Sequence, residues 1–415
     1  MNKIILLLSI ILLTITCKSQ PAMTVSTKSK KAEKAYFLAM DYAQIYNFEE
    51  AYKQLAIAKK EDPVFIEAFI FGAELMLSER KYAEAVDEYK KAFAINPRFF
   101  PASYYDCARA ELRLGRYVDA KKDFQMYLDT HTSSASPATI ASAQKGLADC
   151  NFALNALAHP VPFNPLNMGE AVNGTGCEYF PNVTADDATF LFTRNMQTRD
   201  PNTGTMKQTQ EDFYISYKDE NGKWSVAKNM GAPINTDNNE GAPSLSADGR
   251  FLFFAACAGY DGYGNGRVGY GACDIFFSQK VNGVWSKPQN VGAPVNGASW
   301  DSQPSFSSDG KTLYFISHRK GGYGGSDIWS SVLGDDGKWG PAINLGAAIN
   351  SSGNEEAIFI HPDNQTLYYA SDGLTGMGGL DLYVCRRDTV TGKWGIPANL
   401  GYPINTEGDE SGMIV

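Results

Sequence analysis

The 415-residue chain lacks the surplus of basic side chains that nucleic-acid-binding proteins need. It contains 37 Lys and Arg residues against 46 Asp and Glu residues, so its net charge is −9. Such a composition offers no basic stripe that could neutralise the phosphates of a nucleic acid. The charge balance therefore excludes nucleic acid from the expected partners.

Residues and motifs that mark catalytic or metal sites are also scarce. Only four histidines are present, and neither an HExxH helix nor a GxSxG elbow occurs. The stretch Gly310-Lys311-Thr312 is not a phosphate loop, because Ser305 stands where that motif needs glycine. None of the seven cysteines forms a CxxC pair, which disfavours a zinc site. We therefore predict a non-enzymatic protein without a metal or cofactor.

Long apolar runs are absent after the first twenty residues, so no later stretch predicts a transmembrane helix. At the N-terminus, Lys3 precedes an apolar segment over 4–15, which is the pattern of an export signal. Cys17 follows, which predicts a lipoprotein signal peptide over 1–17, lipidation of Cys17, and a linker over 18–30. The alternative is ordinary cleavage after Gln20, which would remove Cys17. Both alternatives place the protein outside the cytoplasm.

Helical periodicity dominates residues 31–157, where glycine is scarce. The turns "EDP" and "INP" place Pro63 and Pro97 34 residues apart, which is the period of a tetratricopeptide repeat. A small residue recurs at one helix position, and a larger apolar residue follows four positions later: Ala51, Ala85 and Ala120, then Leu55, Tyr89 and Phe124. We predict three repeats and a capping helix, at about 32–65, 66–99, 100–134 and 137–157.

A different repeat begins after about residue 160, where Gly, Asn, Trp and Tyr become frequent. Each unit has an acidic start, an Asp before an apolar-aromatic strand, a Trp after a tight turn, and an "NxGxxxN" segment. The acidic starts lie 62, 61 and 54 residues apart, at Glu178, Glu240, Asp301 and Glu355. Three short alternating strands joined by Asp-Gly and Asn-Gly turns, with an irregular fourth edge strand, are typical of a β-propeller blade.

The predicted fold is α + β in separate domains, with an N-terminal all-α tetratricopeptide solenoid followed by an all-β propeller over 160–415. The propeller is expected to have four full blades, at about 175–235, 236–296, 297–350 and 351–405. An incomplete fifth blade would combine residues 406–415, which match an inner strand, with residues 164–173, which match an outer strand. Either the chain is truncated inside this blade, or the tail is a strap on a four-bladed ring.

The repeated pattern "SxDGxTLYFxS", "GGxDIW", "GxW" and "NLGxxIN", after tetratricopeptide repeats, resembles a family of envelope lipoproteins of Bacteroidetes. That family combines such repeats with a PD-type, WD-like propeller, and it includes the type IX secretion lipoprotein PorE and many "OmpA family" proteins. The resemblance covers residues 31–415 and implies an outer-membrane lipoprotein facing the periplasm. The OmpA-like domain that usually follows the propeller in this family is missing, so direct peptidoglycan binding is not expected.

The aspartates that open the third strand of each unit are the clearest polar candidates: Asp212, Asp274, Asp327 and Asp381. They could form a ring of carboxylates that binds a cation. Alternatively, each could accept hydrogen bonds from the backbone of a glycine loop and hold it. Because the position recurs in every unit, we predict the structural role.

Aromatic residues offer two further candidate surfaces, each with a structural alternative. The four repeated tryptophans could stack on sugars or pack between blades: Trp224, Trp285, Trp339 and Trp394. In the helical half, four aromatic residues could line a groove for a partner peptide or belong to the core: Phe100, Tyr104, Tyr105 and Tyr117.

Among the cysteines, Cys257 and Cys273 are the pair that we expect to form a disulfide. They lie on neighbouring strands of one repeat, and an exported protein can hold disulfides. The alternative is that each cysteine is a small buried apolar residue.

The leading hypothesis is a non-enzymatic envelope lipoprotein that acts as a protein–protein interaction scaffold at the outer membrane. Its partners would be other envelope proteins, and a role in type IX secretion or envelope organisation is implied by the resemblance alone. The alternative is a propeller that binds, or hydrolyses, a glycan or peptide ligand.

Overall fold

The computed structural model of the protein describes residues 24–130, 135–199, 206–260 and 262–415. The predicted lipidation site, Cys17, lies outside these ranges. The chain forms two compact units, Met1–Leu154 and Asn155–Val415. None of the helices in the described ranges has the length and apolar character needed to span a bilayer.

Helices form the first unit, as the 34-residue period predicts. In chain order they are α1 (Lys30–Gln44), α2 (Phe48–Glu61), α3 (Ile66–Ser78), α4 (Tyr82–Ile95), α5 (Ser103–Arg113), α6 (Tyr117–Thr130) and α7 (Pro137–Ala158). The first six make three helix pairs, and α7 follows them. This arrangement confirms the predicted tetratricopeptide solenoid.

The repeated small and large residues form the core between paired helices. The alanines of the second helix in each pair are fully buried: Ala51, Ala85 and Ala120. The larger residues four positions later are also at most 1% exposed: Leu55, Tyr89 and Phe124. A small residue lets two helix backbones approach closely, and the larger residue fills the space one turn later.

Between the two helices of each pair, the chain turns through one residue with positive φ. These residues are Tyr46, Arg80 and Gly115, with φ of 59°, 60° and 66°. Only glycine adopts this conformation without steric strain, so the third turn is the most relaxed of the three.

The second unit contains four antiparallel sheets of short strands. The strands are β1 (Cys177–Val183), β2 (Thr189–Arg199), β3 (Met206–Tyr217), β4 (Lys228–Asn229), β5 (Glu240–Leu245), β6 (Phe251–Cys257), β7 (Cys273–Val281), β8 (Val284–Trp285), β9 (Gln289–Asn290), β10 (Asp301–Phe306), β11 (Thr312–Ser317), β12 (Asp327–Val332), β13 (Ile343–Asn344), β14 (Glu355–Ile360), β15 (Thr366–Ser371), β16 (Asp381–Arg386) and β17 (Ala398–Asn399).

Each sheet is one blade whose strands follow chain order from the inner edge to the outer edge. The four blades are β1–β4, β5–β9, β10–β13 and β14–β17. In the second blade, β8 and β9 both pair with β7. This order confirms the predicted propeller and its short, irregular outer strands.

Every inner strand has an irregularity two residues after its acidic start. The residue there has positive φ and the register with the second strand shifts: Phe180, Ala242, Gln303 and Ala357. The side chain two residues later then accepts an amide hydrogen from the next inner strand. Ser244 Oγ accepts from Phe306 N at 3.0 Å, and Ser305 Oγ accepts from Ile360 N at 2.9 Å. The bulges thus link neighbouring blades around the axis.

The C-terminal segment 406–415 continues this pattern at a fifth inner position. Glu410 donates its amide hydrogen to Leu380 O at 2.7 Å, and Gly412 has a φ of +76° two residues later. Met413 packs in a cluster that includes Phe180 of β1 and Ala357 of β14. The tail therefore lies between the fourth and first blades.

Candidate functional site

The repeated aspartates hold loops of their own blades. Asp274 accepts hydrogen bonds from the amides of Tyr270 and Gly271, at 2.7 and 3.2 Å. Asp327 and Asp381 make the same kind of contact with the glycine loops before them. Burial raises the pKa of Asp381 to about 6, although the two bound amides oppose that shift. These carboxylates therefore have partners within the protein.

Asp212 differs because it lies inside its strand and not at the start: β3 begins at Met206, and Asp212 is paired with Arg194 of β2. Its carboxylate accepts from the side chains of Gln210 at 3.3 Å and Asn229 at 2.8 Å. No described backbone amide donates to it, so it fixes the outer strand rather than a glycine loop.

The acidic residues at the start of each inner strand also serve the fold. Each accepts a hydrogen bond from the residue four positions earlier, where the preceding outer segment ends: Glu178 from Gly174, Glu240 from Thr236, Asp301 from Gly297, Glu355 from Ser351 and Glu410 from Thr406. Glu240 and Asp301 also pair with Arg267 and Arg319, each at 2.6 Å. These acids join one blade to the next.

The propeller axis is closely filled. The inner strands of all four blades and Gly412, Met413 and Ile414 of the tail line a cavity of about 20 Å³. A cavity of that volume holds about one water molecule. In the described part of the propeller, a substrate-sized chamber is therefore not found at the axis.

The repeated tryptophans pack at the outer part of the blades. The ring centroids of Trp339 and of Phe253 in the preceding blade lie 6.3 Å apart. The ring centroids of Trp394 and of Tyr314, also in the preceding blade, are separated by the same 6.3 Å. Trp224 contacts Phe190 and carries the ammonium of Lys218 over its ring at 4.8 Å. All four indoles are half-buried, with side-chain neighbours within the protein.

Cys257 and Cys273 lie opposite each other on β6 and β7 and are joined by a disulfide, with an S–S distance of 1.96 Å. Cys107, Cys150 and Cys385 are buried free thiols, and Cys177 is an exposed one. Cys107, Cys150 and Cys385 therefore fit the alternative that a cysteine is a small buried apolar residue, whereas Cys177 does not.

One buried group of thiol and carboxylate side chains has the composition of a metal site. Ligand atoms of Cys107, Glu111 and Asp123 all lie within 4.8 Å of one another. The ammonium of Lys90 lies 2.8 Å from both carboxylates, so it supplies the compensating positive charge. Burial nevertheless raises the pKa of Glu111 to about 7. We interpret this group as a buried ion-pair network in the solenoid core.

The predicted aromatic groove residues do not lie together. Tyr104 is 6% exposed and stacks on Phe93 at 3.9 Å, and Tyr117 is 3% exposed, so both rings belong to the core. Phe100 is half exposed in the turn before α5. Tyr105 is half-buried and its hydroxyl contacts Ser142 of α7. The predicted groove must therefore be corrected, because a partner can reach Phe100 and Tyr105 but not the other two.

The first helices of the pairs, α1, α3 and α5, pack next to one another. We call the face that carries the half-buried residues Phe71 and Glu74 of α3 and Tyr105 and Asp106 of α5 the groove surface. Tyr36 of α1 contacts Phe71 of α3, with ring centroids 5.9 Å apart. Cys107 and Ala110 of α5 share a core cluster with Ile70 and Ala73 of α3. In helical solenoids, the extended concave face is the usual binding surface.

Two carboxylates on this surface, Glu74 of α3 and Asp106 of α5, form what we call the acidic pair. Both side chains are half-buried, and neither makes a hydrogen bond or ion pair with another described residue. Burial and, second, the charge of Asp106 raise the pKa of Glu74 to about 7. Burial raises the pKa of Asp106 as well, and nearby Arg109 opposes that shift. The acidic pair thus lacks a full compensating positive charge, and each carboxylate ionises less readily than it would in water.

Sequence reasoning missed the acidic pair. Glu74 is residue 9 of the second predicted repeat, and Asp106 is residue 7 of the third. Both lie on the first helix of their repeat. The repeat alignment, extended from the core positions to the polar residues of this helix, is the sequence signal that points to them.

Comparisons with known proteins add little beyond the geometry. No protein-family model and no curated protein matches the sequence. Among solved structures, the N-terminal domain of stress-induced protein-1 from C. elegans is 18% identical, with 28% of this chain and 93% of that domain covered and a TM-score of 0.26. The TPR2B domain of yeast Sti1 in its pHsp70 complex is also 18% identical, with coverages of 30% and 98% and a TM-score of 0.27.

A larger part of the chain aligns with a puromycin-hydrolyzing peptidase of Mycobacterium tuberculosis. The identity is 15%, and the alignment covers 60% of this chain but only 35% of the peptidase, with a TM-score of 0.35. At TM-scores of this size, the fold assignment rests on the helix order and strand pairing described above. A tetratricopeptide solenoid and a four-bladed propeller arrangement are together suited to protein–protein interaction.

Proposed function

We propose that this protein is a non-enzymatic scaffold of the cell envelope that binds other envelope proteins through its solenoid and its propeller. The observation that carries the proposal is how the carboxylates are used in the two domains. In the propeller, the recurring acids accept hydrogen bonds from the protein's own backbone or side chains, whereas Glu74 and Asp106 on the solenoid have no hydrogen-bond or ion-pair partner among the described residues. The carboxylates that remain free to bind a partner protein therefore lie on the solenoid surface and not in a chamber of the propeller.

The filled propeller axis supports a binding role over hydrolysis. A hydrolase needs a cavity that surrounds its substrate and excludes water from the reacting atoms. The cavity of about 20 Å³ at the axis is too small for a sugar or a peptide. Binding of a glycan or peptide by an outer face of the propeller is the second candidate, supported by the half-buried tryptophans near the blade edges.

The envelope location is proposed from the sequence. The apolar segment before Cys17 supports export and lipidation, and the resemblance to Bacteroidetes envelope lipoproteins supports an outer-membrane anchor with the domains facing the periplasm. Participation in type IX secretion or in envelope organisation is part of the same proposal.

Two measurements on the native organism test the proposal. Mass spectrometry of the mature N-terminus should find lipidated Cys17, whereas an unmodified terminus at Pro21 would contradict the anchor. Chemical crosslinking in cells, followed by purification of the tagged chain, should recover a defined set of envelope proteins. Recovery of no protein above the level of an untagged control would contradict the scaffold role.

A further inference from the structure

The acidic pair lies beside a buried polar atom that also lacks a partner. Tyr89 of α4 is fully buried, and its hydroxyl makes no hydrogen bond with any described residue. Its ring packs in one core cluster with Ala73 of α3 and Cys107 of α5, the sequence neighbours of Glu74 and Asp106. Burial and, after it, the charges of Asp106 and Glu74 raise the pKa of its hydroxyl. Buried polar atoms without a partner are rare, because such an atom loses its hydration without compensation. The unpartnered phenol oxygen thus belongs to a ring that packs against the two helix segments that carry the acidic pair.

The surroundings of this position are aromatic. Phe71 lies one turn before Glu74 on α3, and Tyr105 precedes Asp106 on α5. Both rings are half-buried on the groove surface. Aromatic rings accommodate the aliphatic stem of a long basic side chain and also attract its charged end.

The chain's own nearby cation does not fill the position. Arg109 is exposed, and its guanidinium lies over the ring of Tyr105 at 5.6 Å. It forms no ion pair with Asp106 among the described contacts, although its charge partly opposes the rise that burial causes in the pKa of that carboxyl. The only other acid on this side of α3, Glu67, is already bound to Ser26.

We propose that the groove surface binds a segment of a partner protein through a lysine or arginine side chain inserted between Glu74 and Asp106. The inference rests on the proposed scaffold function and names the chemistry of its ligand. An ammonium or guanidinium group supplies several hydrogen-bond donors, for which both carboxylates and the Tyr89 oxygen can be acceptors. Its positive charge compensates the carboxylates. A neutral or acidic side chain would leave the acidic pair desolvated without compensation.

A peptide selection on the chain from residue 18 to residue 415 provides the test. A phage-displayed library of random peptides is panned against this protein, and the strongest binder is synthesised. We expect the selected peptides to share one lysine or arginine. The affinity of the synthesised peptide for the protein should fall about ten-fold or more with Glu74→Gln and with Asp106→Asn, because a charge-assisted contact is lost. Glu49→Gln, a matched change on the exposed side of α2, should have no effect.

A peptide in which the basic residue is replaced by norleucine or citrulline completes a double-mutant cycle. It should bind about ten-fold more weakly to the unaltered protein and be insensitive to Glu74→Gln. Far-UV circular dichroism and thermal melting of each variant separate a lost contact from a lost fold. Tyr89→Phe, which keeps the ring, gives a second variant that removes only the hydroxyl.

Several outcomes would overturn the inference. These are a selection that yields no peptide, one that yields peptides without a shared basic residue, and binding that ignores Glu74→Gln and Asp106→Asn. If such a result accompanies defined partners in the cellular crosslinking, the scaffold function stands and the cation site alone is wrong. If the crosslinking also recovers no partner, the scaffold function fails as well.

Discussion

Asn296 donates its side-chain amide to Asn290 Oδ1 at 2.7 Å, and the same six-residue spacing joins an asparagine pair in every repeat of the propeller. The equivalent donors are Asn173, Asn235, Asn350 and Asn405. Asn296 Oδ1 also accepts a hydrogen bond from the backbone amide of Ile275 at 2.9 Å, and Asn296 Nδ2 donates one to the carbonyl oxygen of Ile275 at 2.8 Å. The "NxGxxxN" segment is therefore a clamp that fixes the third strand of its blade. Asn173 has the pair but no described third strand to clamp.

This difference predicts unequal effects of the same substitution. Asn296→Ala should destabilise the propeller by about 2–4 kcal/mol, because it leaves buried backbone groups of Ile275 without partners. Asn173→Ala should reduce stability by about 1 kcal/mol or less, since it loses only the bond to Asn167. Urea unfolding followed by tryptophan fluorescence measures this, because all six tryptophans lie in the propeller sequence. Equal effects would contradict the clamp.

The disulfide between β6 and β7 is expected to stabilise the second blade. It closes a segment of 16 residues, and a loop of this length corresponds to about 3 kcal/mol in the chain-entropy account. Unfolding of the unaltered chain in urea should therefore occur at a lower concentration after reduction. In a Cys257→Ala/Cys273→Ala variant, the reductant should change nothing. An unchanged midpoint in the unaltered chain would argue against the bond.

Two aromatic residues close in sequence should differ in their effect on the solenoid. Tyr104→Ala removes a buried ring stacked on Phe93 and should reduce the free energy of unfolding by about 3–5 kcal/mol. Phe100→Ala removes a half-exposed ring and should change it by less than about 1 kcal/mol. Thermal melting followed by the helical circular dichroism signal compares them. A larger effect at Phe100 would contradict the burial of Tyr104.

Glu74 predicts a pH dependence of solenoid stability. Its pKa is raised from 4.5 to about 7 in the folded protein, so the folded state binds more protons than the unfolded state between these values. Stability contributed by this group is therefore present at low pH and is lost as pH rises toward 7. Because the side chain is only half-buried, we expect a loss of about 1–3 kcal/mol.

The Glu74→Gln variant removes this titration and isolates it from the other acids. It should be more stable than the unaltered chain at pH 8, and the difference should shrink as the pH falls toward 4.5. Glu49→Gln, which changes an exposed ion-paired carboxylate, is the matched control and should show no such trend. A difference between Glu74→Gln and the unaltered chain that does not vary with pH would contradict the raised pKa.

The sequence predicted the architecture well because both domains are built from repeats. A residue that recurs at a fixed spacing, such as Ala51, Ala85 and Ala120, identifies a shared core position without knowledge of the structure. Recurrence could not show what each polar residue binds. The role of Asn296 depends on where the third strand lies, which is set by packing across the blade.

The groove surface shows a second limit. Tyr104 and Tyr105 are neighbours in sequence but point in directions about 100° apart on a helix, so one is buried and the other half-buried. Helical periodicity distinguishes the two tyrosines only when the repeat alignment is also used to decide which side of the helix faces solvent. Glu74, Asp106 and Tyr89 belong to three different helices that share one core cluster, so no single stretch of sequence contains the arrangement.

Site-specific photo-crosslinking in cells tests the central claim, that this protein binds partner proteins through defined surfaces. A photo-reactive amino acid is placed at Phe71 on the groove surface, or at Glu49 on the exposed side of α2 as a control. The scaffold account predicts a discrete adduct with an envelope protein at Phe71 that is absent at Glu49 and reduced by Asp106→Asn. The same pattern of adducts at both positions, or none at Phe71, would contradict the account.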